Sequence, residues 1–311
     1  MITTRLAVSG FVALVATASL VAQQVADLKY RPEIPAPTYP AGKGPRVAID
    51  EAHHNFHTAA GRYRPFAELV RRDGYVVTGF TSTFTAASLR DVAVLVIANP
   101  LHARNVGDWS LPTPSAFTAA EIAAVRAWVE TGGSLLLIAD HMPFPGAAGD
   151  LARAFGVEFS NGYARPGHRK PNTTDTFARE TGLVESAVTR GRAGDPPVTA
   201  VATFGGSAFR LPAGARPVLV FGPESVSQET TKAPGVTPGA PVIPIEGWAQ
   251  GAVLATGRGR VAIFGEAAMF SAQVSGPTQA PMGMNAPAAK QNHQLLLNVL
   301  HWLSRTPGMP D

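Results

Sequence analysis

Residues 50–57 read Asp50-Glu51-Ala52-His53-His54-Asn55-Phe56-His57, two carboxylates and three imidazoles within eight positions. Such a set suits two kinds of chemistry. The first is a divalent metal held by His53 and His57, which are four apart and would share one face if the segment were helical. Asp140 or Glu266 would complete a two-histidine, one-carboxylate set with positions open for water. The zincin spacing is met only in part, because the glutamate that follows the first histidine of that motif is His54 here. The second chemistry needs no metal: a carboxylate and a histidine act as an acid–base pair, or simply hydrogen-bond a polar ligand such as a sugar. The candidate catalytic residues are Asp50, Glu51, Asp140, His141 and Glu266, and the candidate ligand-binding amides are Asn55, Asn99, Asn285 and Asn292. Any one of them could instead cap a turn or a helix; convergence is what would make them a site.

Convergence depends on the elements that precede them. RVAID at 46–50 reads as a short buried strand, and 61–72 places Tyr63, Phe66, Leu69 and Val70 at helical spacing before Gly74. YVVTGF at 75–80 is a second strand. VAVLVIA at 92–98 is a third, with the continuous apolar run of a strand covered on both faces. A helix over 118–131 opens on Thr118 and Glu121, a capping box, and buries Ile122, Val125, Trp128 and Val129. Gly132-Gly133 ends it, and SLLLIA at 134–139 is a fourth strand, followed by a helix at 147–155 and a strand at 157–160. This alternation predicts an α/β fold with a mainly parallel, doubly wound sheet and right-handed crossovers. Further on, 198–204 and 218–221 read as strands, 252–265 as an antiparallel hairpin near the C-terminus, and 291–304 as an amphipathic helix. The Thr/Pro/Gly-rich stretch 223–244 reads as a surface loop.

Ligands of open parallel sheets bind outside the carboxyl ends of the strands. The strands end at Asp50, at Asn99, at Asp140-His141 and at Glu266, so four separate runs deliver polar side chains to one edge, with Asn285, Asn292 and His293 within reach from the last loop and helix. His102 and His301 read as structural, and Gly205-Gly206 and Gly257-Arg258-Gly259 as turns, since neither shows the strand–glycine–helix context of a phosphate loop.

Three runs carry a family resemblance: 50–57, residues 128–141 (WVETGGSLLLIADH) and residues 257–266 (GRGRVAIFGE). They resemble a family of exported proteins in the class I glutamine amidotransferase-like superfamily, and the likeness spans about residues 45–305. It implies a flavodoxin-like α/β domain. True amidotransferases carry a Cys nucleophile on a sharp turn after a strand. Here the strand at 134–139 delivers Asp140-His141 instead, and the chain has no cysteine, so glutamine hydrolysis by that route is excluded. The likeness therefore carries architecture rather than chemistry. Carbohydrate-associated members of the superfamily keep a sugar-like ligand in view by analogy.

Composition sets the remaining bounds. The 311 residues are 45% hydrophobic and 15% charged, with Gly 31 and Pro 27, enough apolar side chain for a sizeable core and many tight turns. The net charge of +4 is scattered; its densest stretch, Arg165, His168, Arg169 and Lys170, is too short for a nucleic-acid footprint. Without cysteine there are no disulfides and no thiolate metal sites. Arg5, the apolar run 11–21 and small residues up to Ala18 or Ala22 form a signal-peptide pattern over 1–22, too short for a membrane span, and predict a periplasmic or secreted protein. Residues 23–44 are Pro-rich and read as an extended linker, 45–305 as a single α/β domain and 306–311 as a tail. No Gly-x-Ser-x-Gly elbow is present. Two functions follow. One is a hydrolase, metal-assisted if His53 and His57 ligate, acting on a polar or carbohydrate-like substrate. The other is a non-catalytic carbohydrate- or small-ligand-binding or sensory domain.

Overall fold

The computed structural model describes residues 24–169 and 174–310. The predicted leader over 1–22 lies outside the described residues. Five parallel strands form the backbone of a nine-stranded sheet: β1 (Arg46–Asp50), β2 (Val76–Phe80), β3 (Val94–Ala98), β4 (Ser134–Ile138) and, after the intervening β5 (Ala249–Thr256), β6 (Gly259–Phe264). Their order in space is β2-β1-β3-β4-β6, the flavodoxin-like arrangement. β6 then pairs antiparallel with β5 in the predicted hairpin, and Phe209–Arg210, Glu158–Phe159 and Arg216–Val220 extend that antiparallel flank.

The sheet is covered on both faces because its strands alternate between two cores. Val47, Ile49, Val94, Val96, Leu136 and Ile138 face α1 (Arg64–Arg72) and the terminal helix α4 (Asn292–Leu303). Ala48, Leu95, Ile97, Leu135 and Leu137 face α2 (Ala119–Glu130) and α3 (Phe144–Arg153). β3 and β4 are buried at every position, as expected of central strands covered on both sides. α2 opens on the predicted capping box: Thr118 accepts from the Glu121 N–H while Glu121 accepts from the Thr118 N–H. No helix among the described residues is long and apolar enough to cross a membrane.

Two segments depart from expectation. The stretch 223–244 is not wholly loop; Val226–Glu229 pairs with Val242–Pro244 and with Gly162–Arg165 in a small antiparallel sheet. The Pro-rich stretch, expected to be a linker, is strapped onto the domain from residue 24 onward. Val25–Ala26 pairs with Ala272–Ser275, and Tyr30, Ile34 and Tyr39 pack against the core. The prolines do keep the chain extended, but these apolar anchors give it surface to bury. Buried Asp73 accepts from the Thr38 N–H at 2.8 Å and from His301 Nε2 at 2.6 Å, and Thr38 Oγ1 lies 2.8 Å from the same ring nitrogen. His301 is thus structural, as its sequence context suggests. Gly74 is needed where the strap crosses α1: its φ is +95°, and a Cβ there would lie 2.2 Å from the Tyr39 carbonyl.

Removing one partner of a buried polar network leaves the others unsatisfied. Asp73→Ala should therefore lower unfolding stability by about 2–4 kcal/mol, measured by denaturant titration, and should speed hydrogen exchange at Thr38 and Tyr39. Unchanged exchange there would show that Asp73 does not hold the strap.

Candidate functional site

The carboxyl edge of the sheet is organised at the point where strand order reverses, between β1 and β3, the usual ligand position in such folds. Asn99, the first residue after β3, sits there in the left-handed region at φ 51° and ties three chain segments together. Its carbonyl accepts from the Phe56 N–H at 2.9 Å, its Oδ1 accepts from the Asp140 N–H at 2.8 Å, and its Nδ2 lies 3.3 Å from His57 Nδ1. An amide nitrogen can only donate, so His57 Nδ1 is the acceptor and its proton resides on Nε2. His57 is therefore neutral. Burial, and then the Arg62 charge, push its pKa down to about 3, and its buried Nε2 has no hydrogen-bond partner among the described residues.

A second group surrounds His53. Asp50, fully buried at the end of β1, accepts from His53 Nδ1 at 2.9 Å, from Asn55 Nδ2 at 3.0 Å and from the Ala52 N–H at 3.1 Å. On the other side of the ring, Nε2 donates to Glu121 Oε1 at 3.0 Å. Phe84 and Phe117 pack against the imidazole, with centroids 4.6 and 4.7 Å away. Burial opposes the imidazolium, but the hydrogen bonds and charges of Asp50 and Glu121 outweigh it, and the pKa of His53 is raised. The Glu121 pKa is lowered: burial raises it, yet Thr118, His53 and the Phe84 N–H together hold it down.

This arrangement corrects the metal reading. Residues 51–57 form no helix, so the four-residue spacing does not put His53 and His57 on one face. Both His53 nitrogens are taken by carboxylates and the His57 Nδ1 by Asn99, so these residues do not fit a cation. Among the described residues no group of three His, Asp or Glu side chains is set out to hold one.

The remaining candidates divide. Glu51 accepts from the Ala59 N–H at 2.8 Å and packs against Gly79, fastening its own loop. Glu266 is fully buried and caps a turn, accepting from the Ala268 and Met269 N–H groups at 2.8 and 2.7 Å. Burial and the nearby Asp140 charge raise its pKa well above the usual carboxylate range despite those donors. Tyr63 lies beside the same two carboxyls; burial first, then Glu266 and Asp140, raise its pKa, and its hydroxyl donates to the Ala267 carbonyl at 3.0 Å. Asn292 clamps the Glu266 turn, donating to the Met269 carbonyl at 3.0 Å, and bonds both backbone groups of Ala202. Asn285 is elsewhere, donating to Asp27 and to the Gln273 carbonyl in the small sheet that holds the strap. Neither amide joins Asn55 and Asn99.

Solvent reaches this edge at His141, while Asp140 is buried beside it and accepts from the His141 N–H at 2.7 Å and from the Ala267 N–H at 3.4 Å. His141 Nδ1 donates to the Met142 carbonyl at 2.7 Å, so in the neutral tautomer the proton is on Nδ1 and Nε2 is the acceptor. The partly exposed imidazole stacks on Tyr163 with centroids 4.4 Å apart, and Trp109 and Phe144 flank it at 6.2 and 6.0 Å. The 223–244 stretch borders this wall: the Gly235 N–H donates to the Tyr163 hydroxyl at 3.3 Å and the Ala233 N–H to the Trp109 carbonyl at 2.8 Å. Sequence reasoning missed Glu121 as a partner of His53, read Tyr63 only as a buried helix position, and missed Trp109 and Tyr163 altogether. The capping box flags Glu121 for another reason; the aromatics carry no local signal.

No family model matches the chain, and neither does any curated protein. Solved structures do. The amino-terminal domain of mmIFT52 is 15% identical with a TM-score of 0.57, covering 83% of this chain and 97% of that one. A ThuA-like protein from Bacteroides uniformis is 14% identical (TM-score 0.47, 85% and 95% covered). A GMP synthase component from Thermoplasma acidophilum is 8% identical (TM-score 0.43, 84% and 95% covered). Likeness to the first shows a shared α/β fold, and a fold does not specify a reaction.

The buried imidazolium sets a pH dependence. A folded pKa raised above the unfolded value gives stability that is complete below the unfolded pKa and fades as pH rises through the folded one. His53→Gln should therefore cost more stability near pH 6 than near pH 9, by urea titration at each pH. An equal cost at both would mean His53 is neutral between its carboxylates. His57, by contrast, should keep its Nε2–H form across roughly pH 5–8 in ring ¹⁵N spectra; a titration in that range would contradict its assignment.

Proposed function

We propose that the chain is an exported α/β domain of the class I glutamine amidotransferase-like type, lacking the cysteine nucleophile, that binds a small polar, carbohydrate-like ligand at the Asp140–His141 edge. The β2-β1-β3-β4-β6 order supports the superfamily assignment, and the leader pattern in the sequence supports export. The observation that carries the binding reading is the setting of His141: a partly exposed imidazole, pinned through Nδ1, stacked on Tyr163 and flanked by Trp109. Aromatic faces beside a fixed acceptor and the Asp140 carboxylate suit a ring that is apolar on its face and hydroxylated at its edge.

A hydrolase is the second reading. It is favoured by the same tautomer, because His141 Nε2 is left with a lone pair that can take a proton from water or a substrate hydroxyl. It has no metal to help it at His53 and His57, for the reasons given above. Asp50, Glu266 and Asp140 are all buried and bonded to the protein, so the partly exposed His141 would carry the chemistry, with Asp140 behind it.

The test is a thermal-stability screen of the mature chain against neutral mono- and oligosaccharides, since a ligand that prefers the folded state raises apparent stability. A stabilising sugar should bind roughly tenfold more weakly to His141→Ala and Trp109→Ala, about 1.4 kcal/mol each. Asp140→Asn should fold nearly as the parent does and lose the ligand effect. Turnover of chromogenic glycosides or esters that disappears in His141→Ala would favour the hydrolase. Stabilisation equal in parent and variants would refute the site.

A further inference from the structure

A hollow of about 360 Å³ lies alongside α1, away from the carboxyl edge, between that helix and the strap. Its walls carry four cationic side chains: Lys29 and Arg31 from the strap, Arg71 and Arg72 from α1. The single carboxylate in the lining, Glu68, is already bridged to Arg64 at 2.8 Å. Asp27, next along the strap, is likewise engaged, accepting from the Lys29 N–H and from Asn285 Nδ2 at 3.0 Å each. With four cations against one lining carboxylate, the hollow holds an excess of positive charge among the described residues. The negative end of the α1 dipole supplies only about half a charge.

Two of the cations are held in place by backbone. Arg72 donates to the Pro32 carbonyl at 2.7 Å and Arg71 to the Val77 carbonyl at 3.1 Å. Each guanidinium has five N–H donors, and these contacts occupy one apiece. The rest have no acceptor among the described residues. Fixed guanidinium forks with spare donors match the tetrahedral oxygens of a phosphoryl group and lose little side-chain freedom on binding it. Mutual repulsion is visible in the electrostatics: burial and then Arg31 lower the Arg72 pKa, and burial and then Arg72 lower that of His293, whose buried Nδ1 has no partner. Leu28, Tyr30 and Pro65 give one side of the hollow an apolar wall. Its volume is at the lower end of the range for small-molecule sites, roughly 300–1,000 Å³.

We propose that this hollow is a second ligand site, separate from the carboxyl edge, and that it binds a phosphate dianion, with Lys29, Arg31, Arg71 and Arg72 as its cationic walls. The site closes only because the strap carries half of the cations to the helix that carries the other half. It does not depend on the reading of the Asp140–His141 edge.

The test is calorimetric titration of the mature protein with inorganic phosphate and with phenyl phosphate, each at fixed ionic strength against sodium chloride. Saturable binding of either is expected. Lys29→Gln and Arg31→Gln, whose side chains are exposed and bond nothing in the described structure, should fold as the parent does and bind roughly tenfold more weakly. Tighter binding of phenyl phosphate would identify a phosphate ester as the occupant, and equal binding free phosphate. A heat signal reproduced by chloride, or unchanged in both variants, would overturn the proposal.

Discussion

The carboxyl edge depends on what Asn99 does at the end of β3. One residue, held in a backbone conformation that costs about 1 kcal/mol or more for a side chain other than glycine, presents three hydrogen-bonding groups to two other segments. Asparagine tolerates that conformation better than most residues because its short amide can bond locally. Without it, the loop after β1 and the residues after β4 would lose the hydrogen bonds they share and be left with ring contacts such as Phe56 with Phe144, their centroids 5.6 Å apart.

The ionisable groups gathered there are not equivalent, and burial sorts them. His53 is locked between Asp50 and Glu121 as a charged unit that bridges the first strand to α2. Such a buried ion cluster is weak evidence for net stability, because desolvation offsets attraction, but breaking it leaves an uncompensated charge. His57 is neutral and enclosed. Glu266, beside Asp140, has its pKa pushed up by the same low-dielectric surroundings. What is left for a ligand is the rim at His141, with Asp140 buried behind it and aromatic rings around it. An edge dense in titratable residues thus offers few of them to solvent.

Much of the fold is legible in the sequence because its signals are local. The continuous apolar runs at 92–98 and 134–139 announce central strands, Thr118 and Glu121 announce the start of α2, and the strand ends at Asp50, Asn99 and Asp140 announce the edge. What misleads is the side chains whose partners are distant. His53 and His57 look like a ligand pair only if residues 51–57 are helical; in the folded chain Asp50 and Asn55 bond within that loop and hold it in another shape. The strap reads as a linker because proline dominates its composition, while the weight lies with Tyr30, Ile34, Tyr39 and the Asp73–His301 pair far along the chain. Asn285 and Asn292 serve backbone groups that no sequence pattern connects to them.

The central claim is that Asn99 couples the loop after β1 to the residues after β4. Hydrogen exchange of Asn99→Gly tests it most directly, since glycine keeps the left-handed backbone and removes only the amide. The account predicts faster exchange at residues 52–57 and at 139–142 together, with β1, β3 and β4 still protected. Faster exchange in one segment alone, or in neither, would contradict it.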